Sequence, residues 1–251
     1  MEETLRVLVA IGLGLLLVML RLDAERFGVA EYLDVDVGGP FATLRRRLAW
    51  YVIGLAIIAA ILIIYQGNEA RLGLSLGGGG AVLAGLGYAA IGTAQAAAVA
   101  FLRYRRLRLP FVGSYPWGLV NAIGTAFIDE ATFRGIILGF LLLAGLDGGV
   151  AVVVQGLAYA LATRTGAGGR DLYLLAVSLG IGLLGGWLTL ATGGIGAAFL
   201  GHAATRFAVF AFLGPDEVES DAGSDTGRDD DEMAPAGWTV IEARGSGARD
   251  Q

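Results

Sequence analysis

The sequence predicts an all-α, polytopic membrane protein with about seven to eight transmembrane helices. Three observations carry that expectation. Of 251 residues, 55% are hydrophobic and 16% charged, against about 45–50% and about 25% in soluble domains. The mean hydropathy is +0.66. The apolar residues also gather into runs near the roughly 17–25 residues that a bilayer requires. The 41 glycines suit this class, because small residues let helix backbones approach closely in lipid.

The elements follow in order. The first run covers about Leu5 to Leu20. It begins Met1-Glu2-Glu3 and lacks a small-residue cleavage site, so it reads as a retained helix and not a signal peptide. Arg21 to Arg47 reads as a mixed polar loop ending in Arg45-Arg46-Arg47, and Leu48 to Tyr65 as the second helix. The next loop holds Leu72-Gly73-Leu74 and then Gly77 to Gly80; it reads as flexible, without the Lys-Ser/Thr of a phosphate loop. The third helix, about Ala81 to Leu102, leads into the basic stretch Arg103 to Arg108. That stretch reads as an anchor at anionic headgroups and not as a nucleic-acid surface.

The fourth run, about Pro116 to Ala144, would reach roughly 40 Å as a helix. It is expected to tilt and protrude, or to break near its polar middle. The fifth covers about Gly149 to Thr163, and the sixth Leu172 to Ala191, with Gly182 and Gly186 at a close-packing spacing. The seventh covers Gly194 to Leu213. No internal repeat is visible, so the inverted halves of a transporter have no counterpart.

The net charge of -5 conceals a division. Pro215 to Gln251 carries 11 acids and 3 Arg, while Met1 to Gly214 carries 12 acids and 15 Arg. The tail from residue 214 is acidic and poor in apolar residues, a composition that does not bury a core. With the N-terminus outside, 11 Arg fall in cytoplasmic loops, Arg21 among them, and only Arg6 and Arg71 fall outside. The positive-inside rule favours this orientation. It makes the protein a multi-pass plasma membrane protein with a cytoplasmic C-terminal tail. The lipid bilayer is then its first partner; its oligomeric state is not encoded in these patterns.

Ionisable groups inside a span cost on the order of 2.5–3.5 kcal/mol each on insertion scales, so they mark candidate sites. Five are present: Asp129, Glu130 and Arg134 on the fourth run, His202 and Arg206 on the seventh. Glu130 and Arg134 are four apart, as are His202 and Arg206, so each pair shares a helix face. Two acids and two arginines suggest one neutral polar cluster. The absence of Cys and the single His exclude thiolate nucleophiles and two-His zinc motifs. No Gly-x-Ser-x-Gly elbow is present. What remains is a carboxylate that activates water, with His202 and an Arg stabilising the developing oxyanion. Arg134 would hold Glu130 while Asp129 works, or the reverse.

Asp129-Glu130-Ala131-Thr132-Phe133-Arg134-Gly135 resembles the E-E-x-x-x-R-G signature of the CPBP family, the CAAX protease and bacteriocin-processing intramembrane proteases. Val152 to Thr163 resembles the family's apolar run ending in Phe-x-x-x-His, and Leu179 to His202 its Gly-rich stretch leading to a His. His202 to Arg206 resembles His-x-x-x-Asn, and Leu72-Gly73-Leu74 a short motif seen before the core. The resemblance implies an all-helical membrane core, residues 111–213, after N-terminal helices and basic loops in residues 1–110. It implies peptide-bond hydrolysis by an acidic pair and histidines, directly or through a divalent metal such as zinc. Glu130 and His202 would be the metal ligands, and the partner a membrane-associated protein or peptide substrate. Asp129 stands where the family has its first Glu, Thr163 where it has a His, with Tyr159 in the Phe position, and Arg206 where it has Asn. These departures imply an alternative, a pseudoprotease that binds membrane proteins or their tails without cutting.

Overall fold

A computed structural model describes residues 2–29, 40–65, 71–104, 116–165 and 172–213. Arg105 to Arg108, the Arg164–Asp171 turn beyond Thr165, and the acidic tail lie outside the described residues.

The described chain is all helical: α1 (Glu2–Leu22), α2 (Pro40–Ile64), α3 (Ala81–Tyr104), α4 (Pro116–Glu130), α5 (Leu138–Leu143), α6 (Gly148–Thr165), α7 (Leu172–Thr192) and α8 (Gly196–Leu213). Four stretches are long and apolar enough to cross a membrane: Thr4–Leu22, Arg45–Ile64, Ala81–Leu102 and Leu175–Thr192. Shorter apolar helices cover Gly148–Thr163 and Gly196–Phe212. Leu8, Leu15, Val52, Ile63, Leu83, Ile91, Val153 and Trp187 are exposed, while Asp129, Glu130, Arg134, Gln155 and His202 are buried. That inversion is what a polytopic membrane protein requires, because lipid accepts apolar side chains and penalises polar ones.

The fourth run does not divide into two spans. Between α4 and α5 the chain stays helical, but Ala131–Ile137 adopts π-helical turns. The Leu138 N–H bonds Phe133 O, five residues back. Wide turns of this kind recur at functional sites, and these follow directly on Asp129 and Glu130.

Small residues set the packing. Gly182 faces the Gly156 backbone, where an added Cβ would stand 2.9 Å from Gly156 Cα, and Gly186 faces Gln155 and Val152. The expected close approach of the sixth run is therefore made to α6, where Gln155 Nε2 donates to Gly182 O at 2.7 Å. α3 and α8 run parallel in tight contact, Gly85 against Ala197 and Leu200, Gly92 against Thr205 and Gly201 against Tyr88.

The loop at residues 71–80 is tied to the α7–α8 turn by hydrogen bonds, including one from Gly78 in the glycine run that reads as flexible. Ile195 N–H donates to Gly73 O (3.0 Å) and Ser75 O (2.9 Å), and Gly78 N–H donates to Thr192 O (2.7 Å). Gly73 takes φ +66, a left-handed conformation that disfavours a Cβ. This lets Leu72 bury completely and lets the turn lie against Gly135 and Gly139. An added Cβ on Gly139 would stand 2.8 Å from Leu72 Cα. The Leu72–Leu74 motif is thus a support for the π-helical segment from behind. Its union with the α7–α8 turn also puts these two loops at one end of the bundle, as the alternating topology expects.

Candidate active site

The five expected residues come together. Asp129 and Glu130 end α4, Arg134 lies in the π-helical segment, and His202 and Arg206 project from α8, all buried. Glu130 is held twice. His202 Nδ1 lies 2.7 Å from Glu130 Oε1, and Arg134 Nε lies 3.3 Å from Glu130 Oε2. Arg134 also donates from Nη2 to Ile181 O at 3.1 Å, and its guanidinium stacks over the Tyr159 ring, 4.1 Å from the centroid. The four-residue spacing therefore forms the expected Glu130–Arg134 pair, and Arg134 ties α7 and α6 to it.

Asp129 sits differently. Arg21 Nε lies 3.2 Å from Asp129 Oδ1, and Arg206 Nη1 lies 3.9 Å from Asp129 Oδ2. These are ion pairs without hydrogen-bond geometry: neither Asp129 oxygen has a hydrogen-bond partner among the described residues.

Arg21 was expected in a cytoplasmic loop. It instead occupies the last turn of α1 and is 5% exposed. A charge at the end of an apolar run reads as an interfacial anchor, but the buried stripe Ala10, Gly14, Leu17, Arg21, Ala24 has helical i, i+3/i+4 spacing and puts Arg21 on the inner face. With Arg21 included, the described cluster has three guanidiniums and two carboxylates. The neutral sum expected from four charges omitted one cation.

Tyr159 is the second residue not foreseen as a member of the site. Its hydroxyl lies 3.2 Å from His202 Nε2, and the two rings meet edge to face at 5.9 Å. Thr163, one turn further along α6, is buried and its hydroxyl has no hydrogen-bond partner among the described residues. The residue that reaches His202 from α6 is therefore Tyr159.

The donor set does not fit a divalent metal. Both imidazole nitrogens of His202 face protein groups, and both Glu130 oxygens face His202 or Arg134. Among the described residues no three His, Cys, Asp or Glu side chains converge as ligands, whereas a catalytic zinc takes three.

Comparison with family models matches residues 111–208 to the type II CAAX prenyl endopeptidase Rce1-like family. Over that stretch the chain is similar to an Rce1-like domain. Comparison with curated proteins and with solved structures gave no match. The matched stretch holds Asp129, Glu130, Arg134, Tyr159, His202 and Arg206, and the match supports a protease-like function in general. Arg21 reaches the site from outside that stretch.

Proposed function

We propose that the protein hydrolyses a peptide bond of a membrane-associated protein or peptide inside the bilayer, within a core of residues 111–213. One observation carries the reading: two adjacent buried carboxylates, both paired with arginine, differ in hydrogen bonding. Glu130 Oε1 is bonded by His202, whereas neither Asp129 oxygen has a hydrogen-bond partner among the described residues, beside two guanidiniums. Asp129 is then the base. It takes a proton from a water as the water oxygen bonds the carbonyl carbon. Arg206 faces the developing oxyanion, where a fixed positive charge in a dry site is most effective. Asp129 returns the proton to the leaving amine as the C–N bond breaks. Arg134 and His202 hold Glu130 in place. The arginine-rich loops support a plasma-membrane location with the C-terminal tail in the cytoplasm.

The test is cleavage of a prenylated CAAX peptide by the full chain in proteoliposomes, together with the membrane proteome of cells with and without it. Asp129→Asn should lower turnover by about 100-fold or more. Absence of cleavage in both assays sinks the proposal. A second reading has its own observation. Asp129 is bracketed by Arg21 and Arg206, which also describes a carboxylate retired into ion pairs. On that reading the unmodified protein binds membrane proteins without cutting, and Thr163→His with Arg206→Asn creates activity from none.

A further inference from the structure

Three side chains from three helices form a continuous polar chain: Glu130 on α4, His202 on α8 and Tyr159 on α6. Its links measure 2.7 Å from Glu130 Oε1 to His202 Nδ1 and 3.2 Å from His202 Nε2 to the Tyr159 hydroxyl. All three residues are at most 1% exposed, so water does not compete for these contacts.

The chain has a direction. An ionised carboxylate only accepts, so the His202 Nδ1 must carry a proton. A neutral imidazole then has a lone pair at Nε2, and the partner there must donate. The Tyr159 hydroxyl is that donor. Without it, Nε2 would be a buried acceptor with no match. Tyr159 is itself fixed, by the Arg134 guanidinium over its ring and by edge contact with Phe133 at 5.3 Å.

We propose that Tyr159 is a positioning residue of the site: its hydroxyl donates to His202 Nε2 and locks the imidazole as the neutral Nδ1–H tautomer, whose proton is committed to Glu130. His202 thereby secures Glu130 and leaves the reacting water to Asp129. The proposal deepens the hydrolytic reading and rests on it for the catalytic consequence, but not for the tautomer.

The single histidine makes the test direct. The full chain, labelled with 15N and carrying no histidine tag, gives imidazole signals from His202 alone in detergent micelles. A protonated Nδ1 beside an unprotonated Nε2 is expected near neutral pH. Tyr159→Phe keeps the ring and its packing, and should shift the Nε2 signal as its hydrogen-bond donor is lost. Thr163→Val, on the same helix, should leave the spectrum unchanged. In the peptide assay Tyr159→Phe should lower kcat about tenfold, the scale of one lost hydrogen bond, with KM unchanged. An Nε2–H tautomer, a doubly protonated ring, or an unaltered spectrum in Tyr159→Phe overturns the proposal. If the unmodified protein shows the expected tautomer but hydrolyses nothing, the hydrolytic reading fails while the assignment of Tyr159 to His202 stands.

Discussion

Arg21→Leu is the perturbation that most directly probes how the buried charges are balanced. At an effective dielectric near 20, unit charges attract by about 332/(20r) kcal/mol. The Arg21–Asp129 separation of 3.2 Å gives about 5 kcal/mol, and the Arg206–Asp129 separation of 3.9 Å about 4 kcal/mol. Much of each is offset by desolvation, but removing one member of a buried pair leaves the other uncompensated, at a typical cost of 3–5 kcal/mol. Arg206 still faces Asp129 in the variant, so the lower end applies, about 3 kcal/mol. Reversible unfolding of the purified protein in mixed micelles should register that loss. Arg21→Leu with Asp129→Asn removes both charges and should recover more than half of it. The double-mutant cycle should thus return a coupling of about 1.5 kcal/mol or more. A loss under 1 kcal/mol, or additive single and double variants, would refute the claim that Arg21 balances Asp129.

Two further expectations concern packing. Gly92→Val should destabilise the protein by about 1–3 kcal/mol, because its Cβ would run into Thr205 on α8; Gly87→Val on the same helix meets nothing within 4 Å and should be near neutral, which paired thermal unfolding would compare. Gly73→Ala should cost about 1–2 kcal/mol for its left-handed φ of +66, and limited proteolysis between α2 and α3 should become faster.

Much of this was legible in the sequence, for physical reasons. Apolar runs of bilayer length locate the helices because lipid leaves the backbone no other way to satisfy its hydrogen bonds. Glu130, Arg134, His202 and Arg206 stand out because a charge inside such a run needs a partner, and helical spacing supplies one. Arg21 escaped notice because charge at the end of a run looks like an interfacial anchor; its side is set by the i, i+4 stripe through Leu17. Tyr159 was legible only as an aromatic in an apolar helix, since its value depends on α8 bringing His202 alongside. The π-helical turns carry no local signature in Ala131–Ile137. They follow from the tertiary fit of Gly135 and Gly139 over Leu72.

Those wide turns have a consequence for how the chain tolerates change. A π-helical turn holds one residue more than an α-helical turn closes around. Upstream, α4 aims Asp129 and Glu130 at the polar interior; downstream, α5 seats Leu138 in an apolar cluster with Ala151 and Val152. The surplus residue lets those two halves keep separate rotational settings along one axis. Deleting any single residue of 131–137 would let the segment relax into ordinary α-helix, with every backbone bond still made. The acidic pair would then turn away from α8, or α5 away from α6. A point substitution there disturbs a side chain, whereas a one-residue deletion resets the phase of the whole rod.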